Sequence, residues 1–157
     1  MKKQKGFSLI ELLIVVAIIL IIAAIAIPNL IKSKMAANEA SAVGSLRTLT
    51  TAEIAFSTAC PTLGFTGTLG DFGVGGPCPG ATSEVDPALI TGTKSGYNFT
   101  LSAPGAAPFT QFLANAAPQS ASSGTKYYCV DESGVIRYDP AAAPVCGPAS
   151  VALALGQ

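Results

Sequence analysis

The sequence predicts an α+β protein in which a long N-terminal α-helix packs against a small antiparallel β-sheet. An almost unbroken apolar run from Leu12 to Ile27, followed by a stripe of apolar residues at helical spacing, indicates the helix. Segments that alternate apolar and polar residues, as strands do, follow from residue 96 onward. Strands that come after a helix, without βαβ alternation, indicate an antiparallel sheet.

Composition argues against an enzyme, a cofactor site and a nucleic-acid-binding surface. The 157 residues suffice for one ordinary domain beside an N-terminal segment. The chain has no His, the commonest general base and metal ligand at neutral pH, and no nucleophile–base pair or cofactor motif. We therefore expect no catalytic residue and no cofactor. Without its three N-terminal lysines the chain has 6 basic and 9 acidic residues, a balance that does not favour nucleic acid.

The N-terminal segment joins a basic head to an apolar run long enough to cross a bilayer. The basic residues of the head are Lys2, Lys3 and Lys5. A helix from Phe7 to Ile31 would measure about 37 Å, against a hydrocarbon core of ~30 Å. Glu11 lies at the head of this run, and an ionised group at the centre of a membrane helix costs roughly 2.5–3.5 kcal/mol. A secretory signal peptide cut after Ala26 and a plain anchor are two simple alternatives, and both leave Glu11 unexplained.

The same segment resembles the class III signal of type IV pilins and of the pseudopilins of type II secretion. The resemblance rests on the basic head, on Gly6 followed by Phe7-Ser8-Leu9-Ile10-Glu11, on the apolar run and on Pro28. In that family a membrane peptidase cuts after the glycine, here Gly6, and the new first residue, here Phe7, is N-methylated. The carboxylate of the fifth mature residue, here Glu11, is needed for assembly. Pro28 is expected to kink the helix because it removes a backbone hydrogen bond.

The resemblance implies a pilin-like fold and a division of the chain into three parts. Residues 1–6 would be a cleaved basic leader. Residues 7–58 would form the long helix, of which 7–31 first span the membrane and then enter the filament core. Residues 59–157 would form a globular head with an αβ loop, an antiparallel sheet and a C-terminal disulfide region.

The implied function is that of a structural subunit of a type IV pilus filament, serving adhesion or motility. A pseudopilin of a type II secretion system is the main alternative, and a secreted small binding domain behind an ordinary signal peptide is another. The implied partners are copies of the same chain in a helical homopolymer, a prepilin peptidase/N-methyltransferase, and an inner-membrane assembly platform with its ATPase. The basic head places the C-terminus in the periplasm before assembly by the positive-inside rule, and the assembled filament would lie outside the cell.

A physical reason for Glu11 follows from the implied cut. Cleavage after Gly6 creates a free amine at Phe7, four residues before Glu11. In a filament, the amine of one subunit would neutralise the carboxylate of its neighbour. A mismatched stagger would leave a buried unpaired charge, which costs several kcal/mol, so the pairing would also set the axial register.

Beyond the apolar run that could cross a bilayer, the helix is expected to continue as an amphipathic segment that packs under the head. Its apolar stripe recurs at three- and four-residue steps and consists of Ala42, Leu46, Leu49, Ala52 and Phe56. Arg47 and Glu53 are expected among the polar residues around this stripe. Cys60-Pro61 should end the helix, since the residue before a proline avoids the helical region.

Four cysteines after the apolar segment predict disulfides in an oxidising compartment. They are Cys60, Cys78, Cys129 and Cys146. Three connectivities are possible, and the local pairing of Cys60 with Cys78 and of Cys129 with Cys146 is favoured because each bridge closes a loop of under 20 residues. A zinc site is the alternative, but no pair has the close spacing of a zinc knuckle.

The head is predicted to contain a loop-rich region followed by four strands. Residues 61–95 are predicted as loop because seven glycines fall between Gly64 and Gly80. In the first strand, Tyr97, Phe99 and Leu101 should share one face. A short turn at residues 132–134 joins the last two strands in a hairpin. The predicted strands cover residues 96–101, 109–116, 126–131 and 135–139.

The one acidic cluster of the sequence makes a weak candidate for calcium. It consists of Asp131, Glu132 and Asp139. Calcium takes roughly six to eight oxygen ligands, and three carboxylates near a hairpin are few. A solvated turn is therefore the favoured interpretation, and we expect no metal.

Overall fold

The computed structural model describes residues 7–78 and 85–139, together with Cys146 and the backbone of Leu153–Ala154. The chain divides into two compact units, Met1–Lys34 and Met35–Gln157, and each is described by itself. Helix α1 (Leu9–Ala59) contributes residues to both units. The predicted loop residues 79–84 and most of the tail after Asp139 lie outside the described residues.

The first unit contains the apolar part of α1. Every large apolar side chain from Phe7 to Ile31 is between 43% and 81% exposed, because no other element of this unit covers it among the described residues. The most apolar 18-residue window of α1 has a mean hydropathy of 3.3, so the helix is long and apolar enough to cross a membrane. Pro28 lies inside α1, which remains helical on both sides of it.

The second unit contains a six-stranded antiparallel sheet in which strands that are neighbours in sequence are neighbours in the sheet. Strands that follow one another in sequence are commonly neighbours in a sheet, and this order is the simplest antiparallel arrangement. The strands are β1 (Thr93–Lys94), β2 (Tyr97–Ser102), β3 (Leu113–Pro118), β4 (Tyr127–Asp131), β5 (Arg137–Asp139) and β6 (Leu153–Ala154).

The core lies between α1 and one face of the sheet. The helical stripe predicted from the sequence is buried, with Leu46 and Leu49 at 0% exposure. The facing residues follow from the register, since Phe99 pairs with Ala116 and Ala116 with Tyr128. Residues two apart in each strand point to the same face, so β2 buries every second side chain as its sequence predicts. The α+β class and the packing of a long helix on an antiparallel sheet are therefore confirmed.

Helix α1 ends where proline predicts, and its last turn is closed by a hydrogen bond from Cys60 N to Phe56 O of 2.9 Å. Besides β1, the loop-rich region after it contains two short helical elements that the sequence did not predict. One is a 3-10 helix at Leu69–Phe72, and the other is helix α2 at Pro87–Ile90. Asp86 caps α2 by accepting a hydrogen bond from Ala88 N at 2.9 Å, with Pro87 at the first helical position.

Strand β3 begins four residues later than predicted. Phe109, the predicted first residue, instead forms an isolated parallel bridge with Gly64 in the loop after α1. Phe65 N donates to Phe109 O at 2.9 Å, and Phe109 N donates to Leu63 O at 2.8 Å. The backbone of residue 109 is thus paired with the loop, and continuous pairing with β2 starts only at Leu113, opposite Ser102.

Candidate functional site

The described N-terminal end places Glu11 in the first turn of α1. Phe7 and Ser8 precede the helix, and Phe7 is 81% exposed. Ser8 N donates to Glu11 Oε2 at 3.0 Å, which is one half of a capping box. A negative charge at this position also interacts favourably with the helix dipole. Glu11 therefore has a local partner within its own chain.

This capping interaction was missed by the sequence reasoning, although the sequence carries its signature. Ser8-Leu9-Ile10-Glu11 is an S-x-x-E pattern directly before an apolar helix. The pattern explains why an acid is tolerated at the first turn. The capping bond uses Oε2 of Glu11. The other carboxylate oxygen, Oε1, could still accept from the amine of a neighbouring subunit, as predicted.

The other residues of the predicted processing signal are only partly described. Gly6 lies outside the described residues, as do the leader lysines Lys2, Lys3 and Lys5. Pro28 lies within the exposed apolar part of α1. Cleavage after Gly6, methylation of Phe7 and the assembly role of Glu11 stay predictions.

Both disulfides of the local pairing are present in the structure. Cys60 is bonded to Cys78 and Cys129 to Cys146, with Cα–Cα distances of 6.0 Å in each case. The first closes the loop that follows α1. The second attaches Cys146, beyond β5, to Cys129 at the centre of β4. Each bridge restricts the unfolded chain and is worth roughly 3 kcal/mol in the chain-entropy model.

The acidic cluster is arranged as a stabilised turn. Asp131 is 8% exposed, accepts hydrogen bonds from Ser133 and forms an ion pair with Arg137. Burial by itself raises the pKa of Asp131, but the hydrogen bonds from Ser133 and Arg137 outweigh it and hold the pKa below its usual value.

Glu132 and Asp139 are the other two acids of the cluster. Glu132 is exposed, and the distance from its Oε1 to Gln111 Nε2 is 3.5 Å. Asp139 lies in β5 opposite Tyr127. Within the described ranges, no three acidic or Cys side chains are grouped as a metal site.

A polar clamp joins α1 to the loop between β3 and β4. Glu39 accepts a hydrogen bond from Thr125 N at 3.1 Å and forms an ion pair with Lys126 at 3.3 Å. Asn38 Nδ2 donates to Ser123 O at 2.9 Å, one residue earlier on the helix. Burial raises the pKa of Glu39, but the Thr125 and Lys126 contacts outweigh it and lower the pKa overall.

Replacing Glu39 by Ala is expected to lower the free energy of unfolding by about 1–2 kcal/mol, because Thr125 N loses its acceptor. This destabilisation should be largest above pH 4.5, the pKa of Glu39 in the unfolded chain. It should shrink as the pH falls through the lower pKa of Glu39 in the folded chain. Urea unfolding of the chain in detergent at pH 7 and in acid checks both statements. Glu132→Ala is the matched control, and we expect it to change the free energy by less than about 0.5 kcal/mol because Glu132 is exposed.

Glu53 corrects the sequence interpretation, which placed it among the polar residues around the apolar stripe and not on its buried face. Its side chain is fully buried, at 0% exposure, because it lies on the same helical face as Leu49 and Phe56. Its carboxylate accepts hydrogen bonds from Thr66 N at 2.8 Å and from Thr66 Oγ1 at 2.6 Å. Burial, partly offset by these bonds, raises the pKa of Glu53 to about 7.

Comparison with known proteins finds one family model and two relatives that match parts of the chain. Residues 1–27 match the family model of the prokaryotic N-terminal methylation motif. The chain is 52% identical over 54 residues to the type IV major pilin protein PilA of Myxococcus xanthus, a match that covers 34% of this chain and 24% of that protein. It is 59% identical over 39 residues to the type IV wide pilus major component PilA4 of Thermus thermophilus, a match that covers 25% of this chain and 30% of that protein.

The matched segments thus span only about a quarter to a third of the relatives' own length. No solved structure matches the chain. The family model is confined to residues 1–27, and the matches to the two relatives cover about a third and a quarter of this chain. The chain carries the prokaryotic N-terminal methylation motif, and over up to about a third of its length it is similar to major pilins of type IV pili.

Proposed function

We propose that this chain is a structural, non-enzymatic subunit of a type IV pilus. Its membrane-held precursor is cut after Gly6 by a prepilin peptidase, and Phe7 is methylated. An inner-membrane assembly platform with its ATPase then moves the helix from the bilayer into the filament. The finished filament lies at the cell surface, where it serves adhesion or motility. The observation that carries the proposal is the exposed apolar helix, with Glu11 in its first turn, inside a segment that matches the methylation motif.

The exposed apolar side chains explain why the helix would lie first in the bilayer and then in the core of the filament. Burying one Leu, Ile or Val side chain is worth about 1.5–3 kcal/mol relative to leaving it in water. The side chains from Phe7 to Ile31 have no cover of their own among the described residues, so they require an apolar medium. A bilayer supplies it before assembly, and the equivalent helices of neighbouring subunits supply it afterwards.

The contact between subunits has to be of the heterologous kind. The amine of one chain meets Glu11 of the next, so two different surfaces are joined at each step. A contact of this type that does not close on itself generates a fibre and not a ring. The heads, each held together by two disulfides, then coat the bundle of helices.

The mature N-terminus tests the proposal directly. Mass spectrometry of the chain purified from its native cells is expected to find N-methylated Phe7 as the first residue, because the peptidase cuts after Gly6. A first residue of Ile27 would instead show an ordinary signal peptide cut after Ala26, and would contradict the proposal. Gly6→Leu is a suitable variant, expected to leave the leader attached and the chain in the membrane.

Deletion of the gene distinguishes a pilus subunit from a pseudopilin. Loss of long surface filaments and of adhesion or twitching, with protein export unchanged, is the result expected for a pilus. Loss of enzyme export with surface filaments unchanged would instead identify the chain as a pseudopilin of a type II secretion system, processed and assembled in the same way.

A further inference from the structure

The strongest feature that filament formation leaves unused is the buried carboxylate of Glu53. Glu53 is 0% exposed, and Thr66, which donates two hydrogen bonds to it, is 1% exposed. An isolated carboxylate is costly to bury, and the cost falls when the group is protonated or paired with a cation. The surroundings of Glu53 decide which of these applies.

The charged neighbour of Glu53 is another acid. Asp71, in the 3-10 helix packed against α1, disfavours the ionised form of Glu53 by like-charge repulsion. The Asp71 carboxylate is itself held by hydrogen bonds from Gly67 N and Thr68 N, at 3.0 and 2.9 Å. All six Lys and Arg residues beyond the leader lie in the described ranges, and none forms an ion pair with Glu53. Protonation is therefore the way in which this site lowers the cost.

Thr66 lies within a disulfide-closed loop, so its contact with Glu53 helps to hold this loop against α1. The loop of residues 60–78 is closed at its ends by the Cys60–Cys78 disulfide. Inside it, Gly64 is bridged to Phe109, and Thr66 comes two residues later. The Glu53–Thr66 contact attaches the middle of the loop directly to α1, while the loop tip carries the fully exposed Val74.

We propose that the Glu53–Thr66 contact is a pH-dependent latch, which holds loop 60–78 to α1 most tightly in acid and loosens as the pH rises to neutrality. When Glu53 is protonated, its hydroxyl donates to Thr66 Oγ1 and its other oxygen accepts from Thr66 N, so both hydrogen bonds remain and no charge is buried. When Glu53 is ionised, both bonds also remain, but a negative charge is buried beside Asp71. Opening of the loop lets water solvate that charge.

The direction and the pH window follow from the two protonation equilibria. Burial is the main reason that the pKa of Glu53 rises from 4.5 to about 7 in the closed loop. The protonated form thus favours the closed state, so the latch is at full strength below pH 4.5. It weakens as the pH rises from 4.5 to about 7, and above that the strength is constant, because Glu53 is then ionised in both states.

Hydrogen exchange at the Thr66 amide measures the latch in the full chain held in detergent micelles. After correction for the intrinsic rate, the opening equilibrium of Thr66 is expected to rise on the order of a hundredfold between about pH 4.5 and pH 7.5. Thr66 should also exchange faster than the Leu49 amide in α1 at pH 7.5, because the loop opens locally. A Thr66 opening equilibrium that does not change with pH, or equal protection of Thr66 and Leu49, would overturn the latch.

Glu53→Gln is the matched variant, since the amide keeps both hydrogen bonds to Thr66 without a titratable group. We expect its Thr66 protection to be independent of pH over the same range. The same pH dependence in this variant would assign the effect to another group. A measurement that needs no variant is the NMR titration of the Glu53 side-chain carbon in the natural chain. A midpoint close to 7 supports the latch, and a midpoint close to 4.5 refutes it. None of these readouts requires a filament, so they stand apart from the proposed pilus function.

Discussion

Replacing Glu11 by Ala is expected to leave cleavage after Gly6 and insertion into the membrane unchanged, but to lower the yield of filaments at least a hundredfold. The variant leaves the amine of Phe7 without a partner in the apolar core of the filament. An unpaired buried charge of this kind costs about 3–5 kcal/mol, and roughly 1.4 kcal/mol corresponds to a factor of ten. Electron microscopy and sheared-filament yield measure assembly, and the mobility of the mature chain reports cleavage.

Two further variants separate the charge of Glu11 from its capping role. Glu11→Gln keeps an oxygen that accepts from Ser8 N but carries no charge. If charge pairing drives assembly, Glu11→Gln should fail as badly as Glu11→Ala, whereas a pure capping role predicts near-normal filaments. Glu132→Ala removes an exposed acid from the head, and we expect it to assemble normally. Filaments at the natural yield from Glu11→Gln would refute the charge-pairing account.

Replacing Gly64 by Ala is expected to destabilise the head by more than about 3 kcal/mol, among the largest single-residue effects in the chain. Gly64 has a φ of +76°, a region that residues with a Cβ rarely adopt. An added Cβ would also lie 2.1 Å from Phe109 O, so the bridge between the loop and the chain before β3 would have to break. Urea unfolding followed by the tyrosine signal measures the shift of the midpoint.

Gly75→Ala is the control that isolates the clash from the backbone strain. Gly75 has a similar φ of +87°, but nothing lies within 4 Å of an added Cβ. We expect it to cost about 1–2 kcal/mol, the penalty of the left-handed region alone. Equal losses in the two variants would mean that the approach of Phe109 contributes nothing. A larger loss at Gly64 shows the strength of the bridge that also positions Thr66.

The helix was predictable because its signals are local in the sequence. The apolar run, the three- and four-residue steps of the stripe and Cys60-Pro61 each act within a few residues along the chain. Alternation in β2 is local in the same sense, and its buried face was predicted correctly. The disulfide pairing was favoured for the same reason, since each bridge closes a short loop.

The start of β3 was not predictable because it depends on a partner far away in the sequence. The residues from Phe109 onward are apolar enough for a strand, yet Phe109 pairs with Gly64, which lies in the loop closed by the Cys60–Cys78 disulfide. The strand begins where β2 offers a partner, with Leu113 opposite Ser102. Strand ends are set by this pairing, which a single segment does not reveal.

The burial of Glu53 was likewise not predictable, because it also depends on a partner that is distant in the sequence. Its spacing from Leu49 and Phe56 places it on the buried face, but the cost of burying a carboxylate favours an exposed position. The structure resolves the conflict through Thr66, thirteen residues later in a loop. The S-x-x-E cap at Glu11, by contrast, is written within four residues, and sequence reasoning had the means to find it.

The sequence by itself determined the long helix, its apolar N-terminal part, the processing signal that it resembles and the antiparallel character of the head, because each depends on periodicity or on a short motif. Only the tertiary structure decided that Glu53 is buried under Thr66, that Asp131 is paired with Arg137 and that Gly64 meets Phe109. The physical reason is that a side chain's burial and its hydrogen-bond partner are set by the elements that pack on it. In this head, Thr66 and Gly64 come from a loop whose own sequence carries little periodic signal, and Arg137 comes from the strand that follows Asp131.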